Sequence, residues 1–229
     1  MAGTFLKPEH MRELRGVVFD MDGVIIDSHP LHRRAWKNFL QTVGHEVGDQ
    51  ELEFILDGRK REEILCYFLG KLTPSQITDY GARKDEMLRQ LGSEMQTRRG
   101  VVEFLDLLRS VGVRVALATS AGSRRTYGTL KELRLARYFD AIVTGDEVTN
   151  GKPDPAIYRL VAERLNEIPE NLLAVEDAVS GVRSARTAGL RCMGIASAEH
   201  AEPLRVAGAD PVIPDFCSLS LPQLEASFR

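Results

Sequence analysis

The chain has 229 residues, 43% of them hydrophobic and 28% charged, the composition of a soluble globular protein large enough for one domain or a core with an insert. The net charge of −3 argues against non-specific nucleic-acid binding, and no apolar run reaches the roughly 18 residues of a membrane span. Cys66, Cys192 and Cys217 are odd in number and widely spaced, so neither a zinc knuckle nor a disulfide framework is expected.

Met1 to Arg15 carries Lys7, Glu9, Arg12 and Glu13 and lacks the apolar core of a signal peptide, so a reducing cytoplasm is the expected location. From Arg15 an apolar run, Gly16-Val17-Val18-Phe19, reads as a buried strand that ends in Asp20-Met21-Asp22-Gly23. With 14 aspartates in the chain, about one Asp-x-Asp is expected by chance, so the pair gains meaning only from its place. Two carboxylates at the carboxyl end of a strand stand where open α/β sheets bind ligands. One can attack as a nucleophile, the other can move a proton, and together they can help hold a divalent metal.

Residues 30–95 contain helical patterns at Leu31–Val43, Glu62–Leu69 and Pro74–Leu91 and no convincing strand. They are expected to form a helical cap, leaving 1–29 and 96–229 as the core. Beyond residue 99 the rhythm is that of alternating strands and helices. Val113–Ala118, Ala141–Thr144, Leu172–Val175, Cys192–Ile195 and Pro211–Ile213 read as strands. Ser123 is expected to cap a helix running to about Ala136, Asp154-Pro155 to start another, and Gly189 to stop one ending at Ala188. The terminal segment Ser218–Arg229 reads as a short helix starting near Pro222. The expected fold is a doubly wound parallel sheet, Rossmann-like, with an inserted all-α cap.

Three further segments follow strands. Thr119-Ser120 offers hydroxyls for phosphate oxygens, although a plain turn is the simpler reading of that pair alone. Lys152 lies between Gly151 and Pro153, directly before a helix start, and its ammonium can point to the strand ends. Glu176-Asp177 closes an apolar strand with another acidic pair; helix capping would suit Asp177 and suits Glu176 poorly. Acids converging from two strands need a cation between them, and Mg²⁺ suits hard oxygen ligands and phosphate.

Strand–Asp-x-Asp, strand–Thr, Lys-Pro and strand–Glu-Asp, in this order, resemble the haloacid dehalogenase superfamily, and the insert resembles the helical cap of its β-phosphoglucomutase-like members. The resemblance implies that Asp20 forms an aspartyl phosphate and that Asp22 is the acid and base. It implies that Thr119 and Lys152 bind the phosphoryl group, and that Asp20, the Asp22 carbonyl, Glu176 and Asp177 surround Mg²⁺. Asp22 argues against halide displacement, because a halide leaves without a proton. The same resemblance implies roles in substrate binding for Ser28, His32, Arg61, Lys84 and Ser120, with His32 contacting Asp22 and Arg61 binding a non-transferring phosphate. Arg59, Lys60, Arg61, Arg83 and Lys84 as a solvated basic face is the competing reading. Trp36, Tyr67, Phe68 and Cys192 are expected to be core, and paired metal ligation by His29 and His32 is disfavoured for lack of a third ligand. Arg98-Arg99-Gly100 stands where the family usually has Pro-Gly at the return from the cap.

The expected activity is Mg²⁺-dependent hydrolysis of a small phosphorylated metabolite, a sugar phosphate foremost, by a monomer acting on neither nucleic acid nor membrane. A β-phosphoglucomutase is the near-equal alternative. A phospho-aspartate receiver and a catalytically idle metabolite-binding protein are the remoter ones, disfavoured by the cap and by the full set of polar groups.

Overall fold

In the computed structural model, which describes residues 14–217 and 219–226, the run Gly16–Phe19 is β1 and all four of its residues are buried. It pairs in parallel with β2 (Arg114–Thr119) on one side and β4 (Leu172–Glu176) on the other. With β3 (Ala141–Thr144), β5 (Arg191–Ile195) and β6 (Val212–Ile213) the sheet order is β3-β2-β1-β4-β5-β6, parallel throughout. The winding reverses between β1 and β4, and the crevice beyond their carboxyl ends is where such sheets hold ligands.

The period of two along each strand feeds two separate cores. Val17, Phe19, Val115, Leu117, Leu173 and Val175 pack against α5 (Val101–Ser110), α6 (Ser123–Glu132) and Phe216. Val18, Ala116, Ala118 and Ala174 pack against α7 (Ala156–Leu165), α8 (Val179–Thr187) and α9 (Ala201–Ala207). Burial on both faces explains why these strands read as continuous apolar runs.

Of the α-helices between β1 and β2, α5 packs in the core, and the four before it form an insertion: α1 (His29–Thr42), α2 (Asp49–Leu56), α3 (Arg61–Leu69) and α4 (Pro74–Gln90). Trp36, Phe39, Leu40, Leu52, Ile55, Ile64, Leu65 and Phe68 give this insertion a core of its own. Thr73 starts α4 through a reciprocal capping box with Gln76, and Pro74 fits the first turn. The two connecting segments are tied together where Asp27 N donates to Gln96 O and Arg98 N to Ile25 O, each at 2.9 Å. At the return, Gly100 has φ +76°, and a Cβ there would stand 2.6 Å from Cys217 N, so glycine is required where the proline of the family pattern is missing.

The strand and helix expectations hold, with particular departures. α2 and α5 are additional helices. Ser123 does not cap α6: Gly122 precedes the helix, and Asp146 accepts from Ser123 N at 2.6 Å and Oγ at 2.7 Å, capping the turn from another loop. α6 ends at Glu132, followed by a left-handed Arg134 and a separate turn at Ala136–Tyr138. Tyr67 is 56% exposed, stacked on Phe54 at 4.0 Å rather than buried. Leu221–Ala226 forms α10, while Ser218 and residues 1–13 and 227–229 lie outside the described residues, as does the charged leader segment read above. Among the described residues no helix is long and apolar enough to cross a membrane.

Candidate active site

Asp20 follows β1 directly, its N–H donating to Val175 O of β4 at 3.0 Å, which fixes its carboxylate over the crevice. Lys152 reaches the same point from the loop before α7. Its Nζ donates to Asp20 Oδ1 at 2.6 Å, to Glu176 Oε1 at 2.6 Å and to Ala118 O at 3.0 Å. All three donor positions of the ammonium are therefore used, and only 1% of the side chain is exposed. Burial opposes this charge, but Asp20 and Glu176 outweigh it and hold Lys152 firmly cationic. Tyr158 OH, from α7, donates to the same Glu176 oxygen. Burial pushes the Asp20 carboxyl well above its usual range; Lys152 opposes the shift, and Glu176 and Asp177 add to it.

Asp177 does not cap α8, which begins after Ala178. It turns back toward β1, where its Oδ2 lies 2.9 Å from His29 Nε2 and makes no well-aligned hydrogen bond. Gly23, at φ +76°, makes room for it, since a Cβ there would overlap Asp177 Oδ2 and stand 2.5 Å from His29 Nε2. Carboxylate oxygens of Asp20, Glu176 and Asp177 all lie within 4.8 Å of one another. Three converging acids, one ammonium between two of them and one buried oxygen without a hydrogen bond fit a hard divalent cation. Asp22 is outside this cluster by its side chain; its carboxylate is engaged elsewhere, leaving its backbone carbonyl as the group expected to face a metal.

Asp22 Oδ1 accepts from Ser28 Oγ at 2.7 Å, and His32 Nε2 stands 3.1 Å from it. His32 Nδ1 in turn faces Lys84 Nζ at 3.3 Å. An ammonium has no lone pair, so Nδ1 is the acceptor, Nε2 carries the proton, and the imidazole donates to Asp22. Burial, with Lys84 beside it, lowers His32 to about 4, so the ring is neutral. Burial and the nearby Arg125 lower Lys84 to about 8. Arg125, in the first turn of α6, closes the group: Nη1 donates to Asp22 Oδ1 at 3.0 Å and Nη2 to Oδ2. Burial would raise the Asp22 carboxyl, but Arg125 and His32 hold it well below the usual carboxylate range.

A cavity of 270 Å³ lies between the strand ends and the insertion, bordered by Asp20, Asp22, Thr119, Lys84, Arg61 and Arg125. Thr119 is buried at the end of β2, its Oγ1 accepting from Ala121 N at 3.1 Å. Ser120 Oγ donates to Gly58 O of the insertion at 2.6 Å. Ser180 Oγ donates to Asp57 O, and Lys60 Nζ to Val148 O, so the loop 57–60 is fastened down on the core from three sides. Arg61 crosses Gly81, where a Cβ would stand 2.5 Å from its Nε, and pairs with Asp85 at 2.5 Å. Trp36 is buried, as expected, but also borders the cavity, with Lys84 Nζ 5.3 Å from its ring centre. Of the anticipated residues, Asp20, Asp22, His32, Arg61, Lys84, Thr119, Ser120 and Asp177 border this cavity, while Ser28, Lys152 and Glu176 lie behind it, bonded to Asp22, to Asp20 and to Lys152 respectively. Sequence reasoning missed Arg125, Tyr158 and the His29–Asp177 pair. The first turn of a helix after a strand-end hydroxyl pair marks Arg124-Arg125 as a pair, but not which of the two turns inward.

The profile of the haloacid dehalogenase-like hydrolases matches residues 14–189. The chain belongs to this family. It is an enzyme of the phosphatase or closely related phosphomutase kind. It is similar to a phosphorylated carbohydrates phosphatase of Thermotoga maritima, 36% identical over 199 residues, covering 86% of this chain and 92% of that one. The β-phosphoglucomutase of Bacillus subtilis is 29% identical over 225 residues, 94% of this chain and 96% of its own. The crystal structure of a β-phosphoglucomutase from Clostridium difficile shares the fold, with a TM-score of 0.83 at 23% identity over 94% of this chain and 97% of the other.

Proposed function

We propose that this enzyme is a Mg²⁺-dependent phosphatase of a small phosphorylated carbohydrate, acting through an aspartyl phosphate on Asp20. The support lies foremost in the Lys152 ammonium held 2.6 Å from both Asp20 and Glu176 at the switch point of the sheet. The similarity to a phosphorylated carbohydrates phosphatase over most of both chains supports the substrate class.

Asp20 attacks phosphorus, forming the Asp20–phosphorus bond as the bond to the sugar oxygen breaks. Asp22 gives that oxygen a proton, then takes one from water as the water attacks phosphorus and restores the Asp20 carboxylate. Thr119 and Lys152 hold the phosphoryl oxygens and shield their charge from the attacking carboxylate. Asp20, the Asp22 carbonyl, Glu176 and Asp177 would hold the metal, which supplies further shielding of that charge. Residues 30–95 act as a cap over the core of 1–29 and 96–229, with Ser28, His32, Arg61, Lys84 and Ser120 toward the substrate. The enzyme works as a monomer in the cytoplasm, for which its three free cysteines are suited.

The bonds fastening loop 57–60 to the core favour one second reading, a mutase, because a shut cleft protects a phosphoenzyme from water. Turnover of β-glucose 1-phosphate with Mg²⁺ and a trace of glucose 1,6-bisphosphate separates the two. Free phosphate as the main product supports the phosphatase; glucose 6-phosphate forming much faster supports the mutase.

A further inference from the structure

Asp22 is the most heavily engaged carboxylate of the crevice. Ser28 Oγ, His32 Nε2 and Arg125 Nη1 all face Oδ1, and Arg125 Nη2 takes Oδ2. Three donors crowd Oδ1, and the Arg125 fork spans both oxygens. In this arrangement the guanidinium holds Asp22 as the carboxylate and disfavours the proton it must carry to a substrate oxygen. Ser28 and His32 stand beside Asp22 at the start of the insertion, and Lys84 fixes the donor face of His32. Arg125 alone approaches from across the cavity, on α6, bordering it with a side chain that is 16% exposed.

The neighbouring cations differ in one respect. Arg61 and Lys84 face Asp85, at 2.5 and 3.6 Å, a carboxylate with no part in the proposed chemistry. Arg125 is held by a carboxylate that the proposed reaction must use. A guanidinium fork binds carboxylate and phosphate with the same two-point geometry, so an anion entering the cavity can replace Asp22 on it.

We propose that Arg125 is a specificity-determining residue that selects substrates bearing a second anionic group, a phosphate or carboxylate besides the one transferred, and that this group frees Asp22 by taking the guanidinium from it. The inference rests on the phosphatase reading above, in which Asp22 moves the proton. A substrate without a second anion leaves Arg125 on Asp22 and is turned over slowly. Selection here lies in the exchange of partners as much as in added attraction.

The test compares kcat/KM for matched sugar monophosphates and bisphosphates of glucose and fructose in the native enzyme, Arg125→Gln and Arg125→Lys. The native enzyme is expected to favour the bisphosphate by at least about tenfold. Arg125→Gln is expected to bring the ratio near one, and Arg125→Lys, which keeps the charge without the fork, to recover part of it. Inorganic phosphite, supplied in trans, is expected to accelerate the native enzyme on a sugar monophosphate, whose alkoxide must be protonated to leave, and to leave Arg125→Gln unaffected. A native enzyme without preference, or a folded Arg125→Gln that keeps the native ratio, overturns the proposal. Calorimetric binding of the same sugar phosphates to Asp20→Asn, with and without Arg125→Gln, reads the selection without turnover. Loss of the binding preference in the double variant, from a native protein that cleaves no phosphate ester, would keep the anion selection and remove the phosphatase reading. Cleavage with an unchanged ratio would do the reverse.

Discussion

Asp20 and Lys152, 132 residues apart in the chain, meet at 2.6 Å over the carboxyl end of β1. The ammonium is shared with Glu176 at the same distance, so one lysine ties the ends of β1 and β4 across the switch point of the sheet. Replacing Lys152 by Met leaves two buried carboxylates without their cation. Stability is expected to fall by about 3–5 kcal/mol and kcat by roughly 10²-fold or more, checked by urea unfolding and by phosphate release from a sugar phosphate.

Lys84 is expected to carry the pH dependence of substrate binding. Its ammonium faces His32 of α1, Asp85 and Arg61 within the insertion, and Asp22 and Arg125 of the core. With a value of about 8, set by burial and Arg125, it is charged below that pH and neutral above it. KM for an anionic substrate is therefore expected to rise as pH climbs through 8. Lys84→Arg keeps its charge and is expected to flatten that limb, and Lys84→Met to raise KM at all pH values; steady-state kinetics from pH 6 to about pH 9.5 decide it.

Gly23 and Gly44 form a matched pair for backbone strain. Both have positive φ, but a Cβ at Gly44 meets nothing within 4 Å while one at Gly23 overlaps Asp177 Oδ2. Gly44→Ala is expected to cost only about 1–2 kcal/mol of strain and to leave turnover intact. Gly23→Ala is expected to displace Asp177 as well, lowering both metal affinity and kcat by at least about tenfold.

Membership of the acidic cluster can be read from metal binding alone. Calorimetric titration of Mg²⁺ is expected to show affinity reduced by tenfold or more, about 1.4 kcal/mol, in Glu176→Gln and Asp177→Asn. Asp22→Asn, whose side chain lies on Arg125, Ser28 and His32, is expected to bind Mg²⁺ nearly as the native protein does while losing turnover. Chelation of the metal is expected to stop turnover and its return to restore it.

Strand ends were legible in the sequence because their meaning is local. An apolar run buried on both faces and stopped by Asp20, Thr119 or Glu176 shows both the strand and the polar group at its end. α2 was not legible, since Asp49–Leu56 is only eight residues long and lacks a side-chain N-cap hydrogen bond. Ser123 misled because a hydroxyl at a helix start is normally its cap, whereas here Asp146 arrives from the loop after β3. Arg125 was invisible for a related reason. Nothing in Arg124-Arg125 shows which arginine turns inward, and the choice is settled by Asp22, more than 100 residues earlier. Tyr67 stood next to buried Phe68, and only the helix phase, fixed by packing, separates the exposed ring from the core one.

The most direct measurement of the central claim is acid quenching of the enzyme during turnover of a sugar phosphate, followed by peptide mass mapping. The account predicts one phosphoryl group on the peptide containing Asp20, absent in Asp20→Asn, with turnover lost in that variant. Phosphate release with no label on Asp20, or an Asp20→Asn protein that turns over at the native rate, would contradict it.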